Sequence, residues 1–268
     1  MSFSVLISVY KNEKASFFNA ALLSIAEQTL LPNQIVIVHD GPLTNELYSC
    51  LYKWKLKLPI QEMILEHNVG LGEALNKGLD LCKYDLVARV DTDDINLPTR
   101  FEKQIKYMDT HPDVSLISSH ISEFDKSCHN ITGERRVPLY NELDDVIHIR
   151  NPINHMAVMF RKRVILLSGG YKHFPGMEDY YLWVRIYDNG FKIQNIDEVL
   201  VLARTGDVML SRRQGWSYCK MELKFLKMLL QMDSVKHRPK IILVYLLRAF
   251  IRLLPVSFLA QIYKKLRY

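Results

Sequence analysis

The feature that most constrains this chain is a rhythm of short apolar runs separated by amphipathic stretches. Ser4–Tyr10, Gln34–His39, Ile60–Glu66, Asp85–Val90 and Val114–Ser119 are β-rich and read as buried strands. Between them, Glu13–Thr29, Glu46–Leu58, Gly72–Cys82 and Phe101–Asp109 have helical spacing. In the first of these, Phe17, Ala20, Ala21 and Leu23 recur on a three-to-four residue period. Pro32, Asn33 and the run Asp40-Gly-Pro42 punctuate the pattern. Strands alternating with helices across short loops predict an α/β fold with a mostly parallel central sheet flanked by helices. Such sheets bind ligands beyond the carboxyl ends of their strands. Asp40 and Asp91 both fall at strand carboxyl ends, which puts two carboxylates on one rim.

The second half is less regular. Asn151–Phe160, Gly169–Tyr171, Glu178–Asn189 and Phe191–Ala203 read as strand, turn, helix and strand, and the chain is helical from Trp216. Met221, Phe225, Met228, Leu229 and Met232 share one helical face and predict core packing. Gly206, Asp207 and Gly215 break the pattern, so residues 1–205 form the main domain and 206–268 a helical tail. The 268 residues, 49% hydrophobic, suffice for one large core with an appendage. Cys50, Cys82, Cys128 and Cys219 form no C-x-x-C pair, which excludes a zinc or redox motif and predicts free thiols.

The net charge of +6 is uneven. From Lys236 onward there are eight Lys and Arg residues and no acid; without them the chain carries 27 basic against 29 acidic residues. A near-neutral body excludes nucleic acid as the partner, and a basic tail fits an anionic surface. Lys240, Val244, Arg248 and Arg252 recur every four residues, with Ile242, Leu246, Ala249, Ile251 and Leu253 on much of the remaining circumference. That pattern describes a basic amphipathic helix in a bilayer interface; a helix packed on the body with its arginines in water is the other reading. The first apolar run has no basic residues ahead of it, and no uncharged run approaches the ~18–20 residues of a spanning helix. The expectation is a cytoplasmic protein, peripheral on the inner face of the cytoplasmic membrane.

Val90 leads straight into Asp91-Thr92-Asp93-Asp94. Three carboxylates in four positions repel one another and raise one another's pKa. A divalent cation removes that penalty, and hard oxygen ligands suit Mg²⁺ or Mn²⁺, which keep waters and share phosphate oxygens. The four residues alone fit equally well a solvated turn in which an aspartate caps the next helix. The surrounding string decides between them. Ala88-Arg-Val-Asp-Thr-Asp-Asp-Ile-Asn-Leu-Pro-Thr-Arg-Phe-Glu-Lys-Gln104 closely resembles the nucleotide-sugar signature of family 2 glycosyltransferases of the GT-A fold: an acidic run, then Pro, Arg and Glu-x-Gln.

The resemblance extends over most of the chain. Ser8-Val-Tyr-Lys-Asn-Glu13 is similar to the family's first-strand motif, which implies that Ser8, Tyr10 and Glu13 line a uracil pocket, with Tyr10 stacking. Val36-Ile-Val-His-Asp-Gly41 is similar to the second motif and gives uracil binding to Asp40, although Pro42 stands where the family commonly has Ser. Asn68-Val-Gly-Leu-Gly-Glu-Ala-Leu-Asn-Lys-Gly78 resembles the third and adds Asn68. In the acidic turn, Asp93 is implied as the direct metal ligand and Asp91 as a ribose or metal-water partner, with Arg89 beside them and Asp94 left to helix capping. Gly176-Met-Glu-Asp-Tyr-Tyr-Leu-Trp-Val-Arg185 is similar to the family's Glu-Asp-x-x-Leu-Trp-x-Arg segment, which implies Asp179 as catalytic base, Glu178 as its alternate and Trp183 on the acceptor side. Asn151-Pro-Ile-Asn-His-Met-Ala-Val-Met-Phe-Arg161 places His155 against the acceptor or the diphosphate, or else in the core. Arg204, Arg212 and Arg213 fall where the family closes over the diphosphate; a solvated or lipid-facing role is the alternative.

The resemblance thus implies a nucleotide-binding half over about residues 1–110, an acceptor half over about 111–205, and a membrane-associating tail. It implies metal-dependent, inverting transfer of glucose or galactose from a UDP-sugar to a polyprenyl-diphosphate-linked saccharide in O-antigen or capsule assembly. The Gln-x-x-Arg-Trp signature of processive synthases does not occur, so one sugar is added per acceptor. Three competitors fit less well. A dinucleotide fingerprint at Gly70-Leu-Gly72 fails at its third glycine, because position 75 is Leu. A sugar nucleotidyltransferase needs a Gly-rich loop after the first strand, and Ser8–Glu13 contains no glycine. A non-catalytic membrane protein with a relic site would have no use for the set Asp40, Asp91, Asp93 and Asp179.

Overall fold

The structure is a computed structural model that describes residues 1–174, 176–205, 215–236 and 238–254. Two compact units are present: Met1–Asn141 with Pro152–Arg204, and Glu142–Asn151 with Thr205–Tyr268. The segment Glu142–Asn151, which the sequence pattern leaves inside the acceptor half, belongs with the tail.

In the first unit the strands are β1 (Phe3–Val9), β2 (Gln34–His39), β3 (Ile60–Ile64), β4 (Leu86–Arg89), β5 (Ile95–Asn96), β6 (Val114–Phe124), β7 (Ile131–Arg135), β8 (Met159–Arg161) and β9 (Lys192–Arg204). Among the described residues they make one sheet in the order β3-β2-β1-β4-β8-β6-β9-β5, with β7 paired to the later part of β6, Ile121–Phe124. Its helices are α1 (Ala15–Ala26), α2 (Asn45–Lys55), α3 (Leu71–Leu81) and α4 (Arg100–Thr110); α5 (Tyr140–Val146) crosses into the second unit, and α6 (Lys162–Leu167) and α7 (Glu178–Asp188) complete the first. β1, β2 and β4 are buried along almost their whole length, as continuous apolar runs covered on both faces should be.

The parallel pairing runs through β3, β2, β1 and β4. It then stops. β8 pairs antiparallel to both β4 and β6, and β9 runs parallel to β6. The sheet is therefore mixed. The reversal matters for the rim: β1, β2 and β4 deliver their carboxyl ends there, and so do β6 and β9, whereas reversed β8 delivers its amino end, which is His155–Val158. The expected strand over Asn151–Phe160 is mostly a loop with one 3₁₀ turn at His155–Ala157, and only Met159–Arg161 pairs. Arg100 explains why the joint is rigid. It is fully buried and donates to Arg89 O at 2.8 Å, to Val158 O at 3.2 Å, to Gln104 Oε1 at 3.1 Å and to Asn96 Oδ1. Gln104 in turn donates to Ala157 O at 2.8 Å. Arg100 and Gln104 of the signature thus form a brace that ties β4 to the approach to β8. Burial and the neighbouring Arg89 pull the Arg100 pKa down to about 9, which leaves it charged at neutral pH.

In the second unit α8 (Trp216–Leu229) packs on α9 (Pro239–Ile251). Phe225 and Tyr245 stack with ring centroids 5.9 Å apart. The Met-rich face of α8 buries Phe225 and Leu229 fully. No described helix is long and apolar enough to cross a membrane. The cationic stripe expected on α9 does not form. Arg248 and Arg252 turn inward, where Arg248 Nη2 reaches Glu222 Oε2 at 2.9 Å and Arg252 Nη2 reaches Glu222 Oε1 at 2.9 Å. Glu222 is fully buried and draws both cations off the surface, since a lone buried carboxylate is far costlier than a paired one.

Candidate active site

The rim is built first from Asp40. Its backbone N–H continues the β1–β2 ladder by donating to Val9 O at 2.8 Å. The buried carboxylate accepts from Val69 N at 2.6 Å, Gly70 N at 3.1 Å and Asn68 Nδ2 at 2.9 Å. Gly70 sits at φ +91°, which turns two successive N–H groups toward that carboxylate. Asn68 itself is exposed. Three of the roughly four acceptor positions of the carboxylate are thereby filled, and its orientation is fixed for the remaining one. Ser8, half-buried, and Tyr10, exposed, end β1 on the same rim.

The acidic turn follows β4, and its charges are separated by role. Buried Arg89 takes Asp91 with both terminal nitrogens. Asp94 is buried and accepts from Arg204 N at 2.7 Å. It caps no helix, since α4 begins only at Arg100 and Asp94 is bound to β9. Burial, then Asp91 and Asp93, push the Asp94 carboxyl well above the usual range. Asp93 is half-buried; burial and Asp91 raise its pKa as well. Glu13, from the loop before α1, hydrogen-bonds Thr92; burial raises its pKa, and Asp93 and Asp91 add to the rise. Four carboxylates therefore share one neighbourhood with two guanidinium groups.

Arg204 is already engaged. It donates to Asp93 O at 3.2 Å and Asp125 O at 3.1 Å, and its guanidinium lies 3.8 Å from the Phe17 ring centroid and 4.5 Å from that of Phe124. It holds the turn's backbone from the β9 side. Arg212 and Arg213 lie outside the described residues.

Glu178 and Asp179 open α7, where the free N–H groups of a helix start favour carboxylates. Burial and Asp179 raise the Glu178 pKa. Tyr171, which the sequence pattern treated only as part of a turn, meets this helix through the Trp183 ring and meets the approach to β8 through His155. It is almost fully buried, and its hydroxyl lies 2.9 Å from His155 Nε2. Burial pushes that hydroxyl up; Arg89 opposes the rise, and Asp179 and Asp91 add to it. Burial and Arg89 hold His155 well below the usual imidazole range, so it is neutral at neutral pH. A neutral imidazole positions a hydroxyl but does not offset diphosphate charge. Trp183 is fully buried, and its ring meets those of His155 and Tyr171 edge-on at 5.7 and 6.4 Å.

The third motif explains how Tyr171 is held. Asn76, on α3, donates to Tyr171 O at 2.7 Å and accepts from Tyr171 N at 2.8 Å. A Cβ at Gly72 would stand 3.3 Å from Tyr171 Cβ and 3.5 Å from Glu178 Cγ. One at Gly78 would stand 2.5 Å from Leu6 Cδ1 and 2.6 Å from Val38 Cγ2. The small residues let α3 approach the sheet on one side and Tyr171 and the start of α7 on the other. Arg185 completes the clamp by donating to Gly170 O at 2.6 Å and to Ser168 O.

Residues 4–167 match the model of the family described as glycosyl transferase family 2. The chain belongs to that family. It is 41% identical over 264 residues to the amylovoran biosynthesis glycosyltransferase AmsE of Erwinia amylovora, covering 98% of each chain. It is 38% identical over 263 residues to an Escherichia coli UDP-Gal:alpha-D-GlcNAc-diphosphoundecaprenol beta-1,3-galactosyltransferase, covering 98% of this chain and 95% of that one. In three dimensions it is similar to the mannosyltransferase PcManGT from Pyrobaculum calidifontis, solved in complex with GDP-Man and Mn²⁺. That likeness has a TM-score of 0.62 at 16% identity and covers 98% of this chain and 79% of the other, and it speaks for the fold alone. This family 2 glycosyltransferase has the GT-A fold, and its relatives build bacterial exopolysaccharide and O-antigen.

Among the described residues no three His, Cys, Asp or Glu side chains stand ready as a metal cage. The donor set nonetheless suits a cation that shares its shell with a nucleotide. Asp91 and Asp94 are committed to Arg89 and to Arg204 N, while Asp93 is crowded by like charge. One protein carboxylate completed by phosphate oxygens and water is a common Mg²⁺ or Mn²⁺ arrangement.

Proposed function

We propose that this transferase moves one hexose, galactose or glucose, from a UDP-sugar onto a sugar linked through diphosphate to a polyprenyl lipid, with inversion at the anomeric carbon. The observation that carries this reading is the rim itself. Asp40 is preset in a cradle of N–H groups, the acidic turn follows β4 at a carboxyl end of the same sheet, and Asp179 opens α7. The full-length similarity to a galactosyltransferase acting on a diphosphoundecaprenol-linked acceptor supports the choice of donor and acceptor.

In this reading the remaining acceptor position of Asp40 takes the uracil N–H, and Tyr10 and Ser8 flank the base. Asn68 and Arg89 act through Asp40 and Asp91, which they orient, and Asp91 faces the ribose. Asp93 holds Mn²⁺ or Mg²⁺. When bound, that ion offsets the charge that builds on the departing diphosphate. Asp179 takes the proton of the acceptor hydroxyl as its oxygen attacks the anomeric carbon. The bond from that carbon to the diphosphate oxygen breaks, and UDP leaves. A single displacement converts an α-linked donor into a β-glycoside. A positioned base contributes on the order of 10²–10⁴ in rate. Glu178, with its raised pKa, is a neighbour that shares the helix start, and neutral His155 orients the acceptor with Tyr171 and Trp183 behind it. Arg204 closes the turn. The lipid tail of such an acceptor puts the reaction at a membrane surface.

The test is UDP release with UDP-galactose and UDP-glucose on a synthetic GlcNAc-diphospho-lipid, with and without chelator, followed by NMR of the new linkage. Transfer dependent on Mn²⁺ or Mg²⁺ that yields a β-glycoside is expected. An α-glycoside refutes the inverting reading, and full turnover in chelator refutes the metal.

A further inference from the structure

The outer face of α9 is the inverse of what its sequence suggests. Because Glu222 draws Arg248 and Arg252 inward, the helix turns Ile241, Tyr245 and Ala249 to its own core. That rotation leaves Leu243, Leu246, Leu247 and Phe250 on the surface, 60%, 49%, 52% and 63% exposed. They stand at i, i+3, i+4 and i+7, one unbroken helical stripe. Exposed Lys240 continues the stripe toward the helix start, next to exposed Arg238. At the other end, Gly215 N donates to Arg252 O at 2.8 Å, which brings the 70%-exposed Trp216 beside the end of α9. A monomeric protein seldom leaves so regular an apolar stripe in water without a partner for it.

We infer that this stripe, with Trp216 at its edge, is a membrane-docking face that lies in the acyl boundary of an anionic bilayer. The occupant is argued from charge and shape. Lys and Arg are the only charged residues from Lys236 to the last residue, which matches anionic headgroups. A single helix with leucines and Phe outward, basic residues at its start and a Trp beside its end has the make-up of an interfacial helix. The inference deepens the lipid-linked acceptor reading by naming the surface that meets the lipid.

Three tryptophans make the test specific, because Trp54 and Trp183 are buried and Trp216 alone of them is exposed. The purified full chain is mixed with vesicles of phosphatidylcholine containing 30% phosphatidylglycerol (about 0.3 mole fraction, an anionic surface). The expected result is co-sedimentation that survives roughly 0.5 M salt, where surface electrostatics are screened, with a blue shift of Trp emission. Leu247→Glu or Phe250→Glu lowers the vesicle partition coefficient by roughly tenfold or more, since each removes an apolar side chain that the acyl boundary would bury. Leu31→Glu, which alters an exposed leucine of the first unit, leaves it unchanged. Three results overturn the inference: no binding to these vesicles, binding abolished by salt and indifferent to both stripe variants, or a dimer in ultracentrifugation that the same variants dissolve. UDP release with a short, water-soluble GlcNAc-diphosphate acceptor separates the two readings. Activity there without vesicle binding overturns the docking face and leaves the proposed reaction standing.

Discussion

Asn76→Ala tests whether the third motif works as a clamp on the site. In the structure Asn76 makes two hydrogen bonds to the Tyr171 backbone, at 2.7 and 2.8 Å. Each such bond is worth about 0.5–1.5 kcal/mol net, and a buried group left without a partner costs about 1–3 kcal/mol. Tyr171 is almost fully buried, so water replaces the lost partners poorly. The deletion should therefore cost about 3 kcal/mol, or roughly 6–12 °C of Tm in a domain of this size. The kinetic effect should be larger than the thermal one suggests. Tyr171 positions His155 at 2.9 Å and packs on α7 through Trp183, so on the proposed roles its displacement disturbs His155 and Asp179 but not the Asp40 cradle. Thermal melts, UDP titration and steady-state UDP release read these separately: lower Tm, unchanged UDP affinity and a kcat reduced at least tenfold. Asn76→Asp keeps the acceptor for Tyr171 N but sets a carboxylate against Tyr171 O, so it should melt no higher than Asn76→Ala and restore no activity. An Asn76→Ala protein with native Tm and native kcat would refute the clamp.

Asp93→Asn should abolish transfer while stabilising the metal-free protein. Asp93 and Asp94 are raised acids, so between about pH 4 and their folded pKa values the native state holds more protons than the unfolded chain, and stability falls as pH rises through that window. The variant's Tm in chelator should exceed wild type above that window and depend less on pH; a lower Tm there would show that the cluster is not strained. Asp179→Asn should keep UDP affinity within about twofold and lose roughly 10²–10⁴ in kcat, and near-native turnover would remove Asp179 as the base. Glu222→Ala leaves Arg252 buried without its carboxylate and should cost about 3–5 kcal/mol, read by chemical denaturation of the second unit; a change under about 1 kcal/mol would mean that the pair is solvated.

The parallel half of the sheet was legible because continuous apolar runs and breaker residues are local signals. β1, β2, α3 and β4 all lie within a few residues of their expected limits. The two-residue strand β5 and the largely exposed β7 were not legible, since neither carries an apolar pattern and each exists only through pairing with β9 or β6. The same division runs through the site. Asp40, Asp91 and Asp93 announced themselves by strand-end position. Tyr171 did not, because a tyrosine after two glycines is an ordinary turn; its role comes from Asn76, 95 residues earlier in the chain. The arginines of α9 misled for the opposite reason. Their spacing was read correctly as one face, but which face points inward depends on Glu222, which lies on another helix.

The reversal at β8 is what brings His155 to the same rim as the acidic turn. Had β8 run parallel to β4, its carboxyl end would share the rim, and His155 would lie at the opposite edge, a strand's length from Asp91. Antiparallel pairing of Leu86 with Arg161 and Ala88 with Met159 instead puts the approach to β8 beside the end of β4. Arg100 then fastens that junction through Arg89 O and Val158 O, a bond from each strand's rim end. The acidic turn and His155 thus hang from one guanidinium buried out of reach of solvent. On this view Arg100 and Gln104 belong to the signature because they fix the acidic turn relative to His155, and neither needs to touch a substrate to do so.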